Sequence, residues 1–190
     1  MKITLANAAQ IIAGEEMKSL TPSDRAKLLE SDWWSLEPES REFRNLPKRI
    51  RDEIKSEVAP QFPDDPIYDK LLVQSLASNY RNVRKAYILR RLTKLGFVDV
   101  TVVGREALLL DCMCCKYRTL TRRGEYEICP VCFWEDVGEC ADDQYISVNR
   151  MTLGMARRNY SEFGACNQAA VHYVDPSGPE KYHRMDEGSL

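Results

Sequence analysis

The sequence contains little histidine and none of the common catalytic motifs. Only two of its 190 residues are histidines. There is no His-Glu-x-x-His zinc-protease motif, no glycine-rich phosphate loop and no Gly-x-Ser-x-Gly nucleophile motif. These absences argue against the hydrolase and nucleotide-binding classes that such motifs mark. We therefore expect a protein that is not an enzyme, with no catalytic residues to assign.

Long apolar runs are also missing from the chain. No stretch approaches the roughly 20 apolar residues that a membrane-spanning helix needs, which excludes an integral membrane protein. Residues 1–14 lack the basic start, long apolar middle and small-residue cleavage site of a secretory signal. With 44% hydrophobic and 29% charged residues the chain can build a core. We expect a globular cytoplasmic protein without a membrane partner.

Neither sign of charge dominates the sequence, because 27 Lys and Arg residues stand against 29 Asp and Glu residues. This balance excludes a strongly cationic nucleic-acid binder that works by counterion release. The two parts of the chain differ, however. Residues 1–110 carry a net charge of +2 and residues 111–190 a net charge of −4. The cysteines follow the same division.

All seven cysteines lie between Cys112 and Cys166, and none precedes them. An odd, clustered set does not suit the disulfide framework of a small secreted protein. Two Cys-x-x-Cys pairs, Cys112/Cys115 and Cys129/Cys132, are separated by 13 residues. Two such turns can present four thiolates to one ion at about 2.3 Å, the arrangement of a structural zinc site. We therefore predict one Zn²⁺ held by these four cysteines.

Alternatives to this ligand set remain open at the level of sequence. Cys114 could replace Cys112 or Cys115, although the i,i+3 spacing suits a metal turn better than i,i+2. A redox dithiol would place one Cys-x-x-Cys pair at a helix start after a strand, and neither pair has that context. No spacing supports a second ion on His172 or His183. Four sulfur ligands would leave no open position, so the ion would be structural rather than catalytic.

The hydrophobic periodicity predicts an α+β protein in three parts. Residues 1–96 form a helical domain, in which Thr21-Pro22 caps one of the helices. Residues 97–170 form a zinc-ribbon-like domain with a C-terminal helix that starts after Thr152. Within it, residues 117–121 and 125–128 are predicted as the two strands of a hairpin. Residues 171–190 are predicted to be an extended tail.

One long motif resembles a known family. The chain reads Cys-Met-Cys-Cys-Lys-Tyr-Arg-Thr-Leu from Cys112, and Arg-Gly-Glu-Tyr-Glu-Ile-Cys-Pro-Val-Cys-Phe-Trp-Glu-Asp from Arg123. These residues, within about 108–168, resemble the cysteine-rich CPCC family. The chain departs from the Cys-Pro-Cys-Cys-Gly of that family at two positions, where Met113 replaces the proline and Lys116 the glycine. The loss of that glycine makes the first metal turn less ideal, which leaves the role of Cys114 open.

The resemblance implies a small zinc-binding module. Several cysteine-rich, acidic small proteins with a helical partner domain serve as immunity proteins against polymorphic toxins, such as Rhs and type VI secretion effectors. The resemblance therefore suggests an immunity protein whose partner is a cognate toxin enzyme, for example an ADP-ribosyltransferase or a nuclease. It does not indicate which toxin is bound or which domain makes the contact.

An aromatic and acidic segment after the second metal turn is the candidate surface for such a partner. Exposed aromatic anchors beside charges are typical of interfaces, and an acidic patch steers a basic partner. The candidate residues are Phe133, Trp134, Glu135, Asp136, Glu139, Asp142 and Asp143. The two aromatic residues could equally pack over the zinc site.

The alternative function is a zinc-ribbon regulator that binds nucleic acid or protein. Arg118, Arg122 and Arg123 favour it. The acidic segment disfavours a nucleic-acid partner because it would repel phosphate at close range.

Overall fold

Helices make up most of the first half of the chain, and short β pairs characterise the second. The computed structural model describes residues 1–185, except the side chain of Glu42. The predicted α+β class is confirmed. In chain order the elements are β1 (Lys2–Thr4), α1 (Leu5–Lys18), α2 (Pro22–Trp33), α3 (Arg41–Arg44), α4 (Lys48–Lys55), a 3₁₀ helix (Pro66–Tyr68), α5 (Asp69–Ser78), α6 (Lys85–Lys94), β2 (Thr101–Val103), β3 (Leu110–Asp111), β4 (Arg118–Leu120), β5 (Tyr145–Ile146), β6 (Met151–Thr152), α7 (Leu153–Phe163), a second 3₁₀ helix (Gln168–His172) and α8 (Gly178–Lys181).

The residues cluster into two units that interleave along the sequence. The first unit comprises Met1–Arg81 and Ile88–Gly104, and the second comprises Asn82–Tyr87 and the described residues from Arg105 onward. The sequence predicted a boundary after residue 96. In the structure β2 lies in the first unit because it pairs with β1, whereas Arg84 lies in the second because its main-chain N–H donates to the Lys181 carbonyl.

Local signals in the sequence explain where the helices of the first unit begin. Thr21 caps α2, since its hydroxyl oxygen accepts the main-chain N–H of Asp24 at 3.2 Å, and Pro22 occupies the first turn. Trp33, on the same helix, is fully buried and donates its indole N–H to the Val58 carbonyl at 2.9 Å. The core around it consists of Leu29, Phe43, Leu46, Ile50, Ile54, Tyr68, Leu71 and Leu72.

A short parallel β pair completes the first unit. Lys2, Ile3 and Thr4 of β1 lie opposite Thr101, Val102 and Val103 of β2. Val98, Val100 and Val102 alternate along residues 98–103, a pattern that predicts a strand over these six residues. The observed strand β2 is confined to the last three of them. The pairing of β1 with β2 joins residues about 100 positions apart, which local periodicity alone does not reveal.

The described part of the second unit contains two antiparallel pairs, the capped helix α7, the second 3₁₀ helix and α8. β3 pairs with β4, and β5 pairs with β6. Thr152 caps α7 as predicted, and the helix ends at Gly164, whose φ of 81° is the left-handed conformation that glycine adopts most readily. The core of this unit includes six buried cysteines together with Trp134 and Leu153.

The predicted hairpin between residues 117–121 and 125–128 is replaced by two smaller pairings. β4 pairs backwards with β3, across the first Cys-x-x-Cys turn. Ile128 bridges Glu135, across the second turn. The reason is that each cysteine turn reverses the chain on itself, so each turn joins its own flanking residues.

Residues 171–185, which the sequence predicted as part of an extended tail, contain helical turns and main-chain pairing. Arg118 donates its main-chain N–H to His183, and Met185 donates to Lys116, at 2.8 and 3.0 Å. α8 lies earlier in the same segment. The remaining five residues of the predicted tail, 186–190, lie outside the described part of the chain.

Among residues 1–185, no helix combines the length and the apolar character that crossing a bilayer requires.

Candidate metal centre

The first cysteine pair lies on a tight turn that backbone hydrogen bonds hold in place. The main-chain N–H of Lys116 donates to the Cys112 carbonyl at 2.9 Å, and that of Cys112 donates to the Tyr117 carbonyl at 2.8 Å. Lys116 has a φ of 66°. It therefore occupies the left-handed conformation at the position where the resembled family has glycine.

The second cysteine pair repeats this turn at the same spacing. Phe133 donates to the Cys129 carbonyl at 2.8 Å, and Cys129 donates to the Trp134 carbonyl at 2.9 Å. Phe133 has a φ of 67°. The two turns thus share one backbone conformation, so each presents its pair of sulfurs in the same way.

The two turns bring four sulfur atoms together inside the second unit. The Sγ atoms of Cys112, Cys115, Cys129 and Cys132 all lie within 4.8 Å of one another, and all four residues are buried. The Cys112–Cys132 and Cys115–Cys129 sulfur pairs are each 3.6 Å apart. A disulfide would require about 2.05 Å. Four sulfurs at about 2.3 Å from a tetrahedral ion lie about 3.8 Å from each other, so the observed group fits a metal ion.

Cys114, the alternative ligand, lies outside this group of four sulfurs. Its side chain is 5% exposed and packs in the surrounding core. The i,i+3 pairing of the first turn is therefore the one that the structure brings to the other two cysteines. Cys140, Cys166 and the two histidines are also outside the group.

The thiols of the group resist ionising together. Hydrogen bonding to Cys112 and Cys129 raises the pKa of Cys115, and burial together with its sulfur neighbours raises the pKa of Cys132. Burial also opposes ionisation of Cys129. Hydrogen bonds from the other three cysteines and Thr119 outweigh it and hold the pKa of Cys129 well below its usual range. Four thiolates in this pocket need a compensating cation, which is the chemistry of a metal-binding site.

Thr119 belongs to the site, although the spacing of the cysteines did not indicate it. Its hydroxyl donates to the Cys129 sulfur at 3.2 Å. A hydroxyl that donates to a ligand sulfur in this way orients the ligand and reduces its charge. The alternation around Thr119 placed it in a strand, but no feature of the sequence showed that this strand passes beside the second cysteine turn.

Two of the residues predicted to bind a partner are in the core instead. Trp134 and Asp136 are both fully buried. The Asp136 carboxylate accepts an Arg123 guanidinium N–H at 2.7 Å and the Gly124 main-chain N–H at 2.6 Å. These contacts engage the Asp136 carboxylate within the protein. Because both residues are fully buried, neither is exposed to another protein.

The other predicted partner residues differ in exposure. Phe133 is partly buried and stacks on Tyr173, with ring centroids 5.4 Å apart. Glu135 is also partly buried; its main-chain N–H donates to the Asn149 side-chain oxygen, and its carbonyl accepts from the Asn149 side-chain amide. Glu139, Asp142 and Asp143 are exposed. The exposed part of the predicted surface therefore begins at residue 139 rather than at residue 133.

The arrangement defines a small cysteine-rich module with a closed, four-sulfur metal site. All four tetrahedral positions would be filled by protein, so such a site stabilises a fold and leaves no place for substrate.

Comparison with known families agrees with this class. Residues 110–181 match the family model described as Cysteine-rich CPCC, and the chain therefore contains a cysteine-rich CPCC domain over these residues. The match extends beyond residue 168, the end of the resemblance, to include α8. α8 packs on the second cysteine turn, since a Cβ on Gly178 would lie 3.1 Å from Val131. Neither a curated protein nor a solved structure matches the chain.

Proposed function

We propose that the four-cysteine site binds one Zn²⁺ and that the ion is structural. The all-sulfur donor set, its burial and the sulfur spacing suit zinc better than the oxygen-preferring divalent cations. When bound, the ion would supply folding free energy to a segment with few regular elements. Because all four ligands come from the protein, we propose a non-enzymatic role.

We further propose that the protein is an immunity protein, an antitoxin that binds a cognate bacterial toxin enzyme and occludes its active site. One observation supports this best. Three exposed acids and an exposed tyrosine lie together on the segment that follows the second metal turn. We call Glu139, Asp142, Asp143 and Tyr145 the acidic surface. Tyr145 is 64% exposed, so its ring is available as an aromatic anchor of the kind that protein interfaces use.

The acidic surface is attached to the ordered core of the metal unit. The main-chain N–H of Gly154 donates to the Asp142 carbonyl at 2.8 Å, and β5, which contains Tyr145, pairs with β6. The Asp142 carboxylate also accepts an Arg157 N–H at 2.5 Å. A surface held in this way loses little conformational entropy on binding.

The charge of the surface indicates the kind of enzyme it would bind. Enzymes that act on RNA, DNA or NAD carry basic active sites, and an acidic surface attracts them over distances up to about a Debye length. The toxin would therefore be a nuclease or an ADP-ribosyltransferase, with the acidic surface taking the place of the phosphates of its substrate.

The alternative function, a nucleic-acid-binding zinc ribbon, has weaker support. Arg123, one of its three candidate arginines, donates to both Asp136 and the Asp111 carbonyl, at 2.7 and 2.6 Å. Those contacts direct its guanidinium inward. Arg118 and Arg122 remain exposed.

Co-expression with the neighbouring toxin gene tests the immunity role. The wild-type chain should restore growth, and Asp143→Lys combined with Glu139→Lys should abolish the rescue by reversing the charge of the acidic surface. Glu162→Lys, at an exposed acid on α7, is the matched control and should still rescue. Failure of the wild-type chain to restore growth, or rescue by the charge-reversed variant with its zinc content intact, would contradict the proposal.

A further inference from the structure

One arginine of α7 contacts both the first cysteine turn and the acidic surface. The Nε–H of Arg157 donates to the Met113 carbonyl at 3.0 Å, and its Nη1–H donates to the Asp142 carboxylate at 2.5 Å. Met113 directly follows Cys112 in the first turn, and Asp142 belongs to the acidic surface. A single guanidinium group therefore joins the candidate metal ligands to the surface that would bind a toxin.

The shape of the guanidinium group makes this connection directional. Its N–H groups lie in one plane in a fixed fork, so the bond from Nε to Met113 also sets the direction of Nη1. The Met113 carbonyl lies within the turn that the Lys116 N–H closes on the Cys112 carbonyl at 2.9 Å. A displacement of this turn must therefore either move the Asp142 carboxylate or break one of the two bonds of Arg157.

The main chain of Asp142 is attached to the same helix. Gly154, one turn before Arg157, donates its main-chain N–H to the Asp142 carbonyl at 2.8 Å. A Cβ at Gly154 would lie 3.0 Å from that carbonyl oxygen, so the close approach requires glycine. Leu153 and Ala156 anchor α7 in the core, since both are fully buried. The helix thus holds Asp142 both at its main chain and at its carboxylate.

Arg157 also distinguishes Asp142 from the other acids of the acidic surface. The Asp142 carboxylate forms an ion pair with Arg157, whereas Glu139 and Asp143 have no ion pair with any other residue of the described chain. The uncompensated charge that attracts a basic partner therefore resides on Glu139 and Asp143. Asp142 contributes mainly a fixed position between them.

We propose that Arg157 is a positioning residue that couples the first cysteine turn to the acidic surface. A bound ion would fix Cys112 and Cys115, and with them the Met113 carbonyl that lies between them. Arg157 transmits that constraint to Asp142, so the state of the metal site controls how tightly the acidic surface holds its partner. This role rests on the proposed function for the identity of the partner, whereas the contacts that create it do not.

Replacement of Zn²⁺ by the larger Cd²⁺, which thiolates also bind, tests the coupling without a toxin. The larger ion pushes the sulfurs outward and displaces the first turn. In the wild type, the amide signals of residues 142–145 should therefore differ between the zinc-loaded and cadmium-loaded forms. Arg157→Gln should abolish most of this difference, and so should Arg157→Lys, which keeps the charge but lacks the fork. Arg158→Gln, at an exposed neighbour, is the matched control and should behave as the wild type.

Binding kinetics with the toxin encoded by the neighbouring gene test the consequence for the partner. Arg157→Gln should raise the dissociation rate about tenfold, the effect of losing one hydrogen bond, without slowing association, because the surface becomes more negative. Asp143→Asn removes an attracting charge and should instead slow association. Gly154→Ala displaces the Asp142 carbonyl and should act on dissociation, as Arg157→Gln does.

The two experiments separate the role of Arg157 from the immunity role. Cadmium-dependent changes at residues 142–145 that persist in Arg157→Gln, or that are absent from the wild type, would overturn the coupling. An unchanged dissociation rate in Arg157→Gln, with its metal content intact, would overturn the positioning of the partner. A wild-type chain that does not bind the toxin would contradict the proposed function, and the cadmium comparison would still decide whether Arg157 couples the two sites.

Discussion

Replacement of Asp136 by asparagine should strongly destabilise the metal unit. Asp136 is fully buried, and its carboxylate is bound by Arg123 and by the Gly124 main-chain N–H. Asparagine has nearly the same shape but no charge, and it can offer only one oxygen in place of two. The substitution therefore removes the negative charge while the Arg123 guanidinium stays beside it.

The size of the effect can be worked out from these contacts. Hydrogen bonds to charged groups contribute about 1.5–3 kcal/mol each, and removing one partner of a buried ion pair costs about 3–5 kcal/mol. Arg123 is only partly buried, with 26% of its side chain exposed, and it keeps its bond to the Asp111 carbonyl. These two features reduce the penalty, so we expect a loss of about 3 kcal/mol.

Urea unfolding of the zinc-loaded protein at fixed free zinc would measure the loss. The indole N–H signal of Trp134 is a suitable probe because that side chain is buried in the core of the second unit. Asp143→Asn, the same change at an exposed acid, is the control and should shift stability by no more than about 0.5 kcal/mol. If the Asp136 variant unfolds at the same urea concentration as the wild type, the assignment of Asp136 to the core is wrong.

Three further predictions concern the metal, the first cysteine turn and acid stability. A strong chelator should release about one Zn²⁺ per chain and unfold residues 110–181. Cys132→Ser should prevent stoichiometric zinc retention. A metal-free protein with unchanged near-UV circular dichroism would contradict a structural role for the metal. Lys116→Gly should stabilise the zinc-loaded protein by about 0.5 kcal/mol in urea unfolding. Glycine relieves the strain of the left-handed backbone at this position, and that gain exceeds both the entropy cost of glycine and the loss of the partly exposed ion pair with Asp111. Lys116→Ala, the control, keeps the strain and should not stabilise the protein. Burial opposes ionisation of Glu106, but hydrogen bonds from the Lys85 main chain and from His183 outweigh the effect of burial and lower the pKa of Glu106. The contribution of the Glu106 carboxylate to stability is therefore present above about pH 4.3 and is lost as the pH falls through the lowered pKa. Glu106→Gln should therefore be less stable than the wild type at neutral pH. Urea titrations from pH 7 to about pH 3 should show the difference shrinking below about pH 4.3, and a difference that is constant over this range would refute this account.

Local signals in the sequence accounted for much of the helical structure. Thr21 and Thr152 each precede a helix and accept a main-chain N–H in its first turn, as a capping residue should. The end of α7 at Gly164 follows from the left-handed freedom of glycine. Such signals act between residues a few positions apart, so they can be recognised without knowledge of the fold.

Strand pairing was predicted less well than the helices. The hairpin expected between residues 117–121 and 125–128 requires the first strand to pair with the strand that follows it, whereas β4 pairs with the preceding strand, β3. Both registers satisfy the same alternation of residues. The choice depends on the cysteine turn, whose hydrogen bonds between Cys112 and Tyr117 bring the two sides of that turn together.

Spacing alone pointed to the group of four cysteines, because two Cys-x-x-Cys turns are sufficient to define a tetrahedral donor set. Spacing did not decide between Cys112, Cys114 and Cys115 in the first turn. The tertiary structure decides, since only the Sγ positions relative to the second turn show which pair faces it. The sequence also did not show which acidic side chains are buried. Asp136 and Asp143 are both acids close to the metal turns, yet one is enclosed and ion-paired and the other is exposed to solvent.

By itself the sequence determined the position of the cysteine-rich domain, the cysteines available to it and the helices that precede it, because those properties depend on neighbours in the chain. The tertiary structure alone decided which acids remain on the surface and which distant segments of the second unit pair. The main chain joins residues 116–118 to residues 183–185, and Arg84 to Lys181, across separations of about 65 to 100 positions, which no pattern of neighbouring residues reveals.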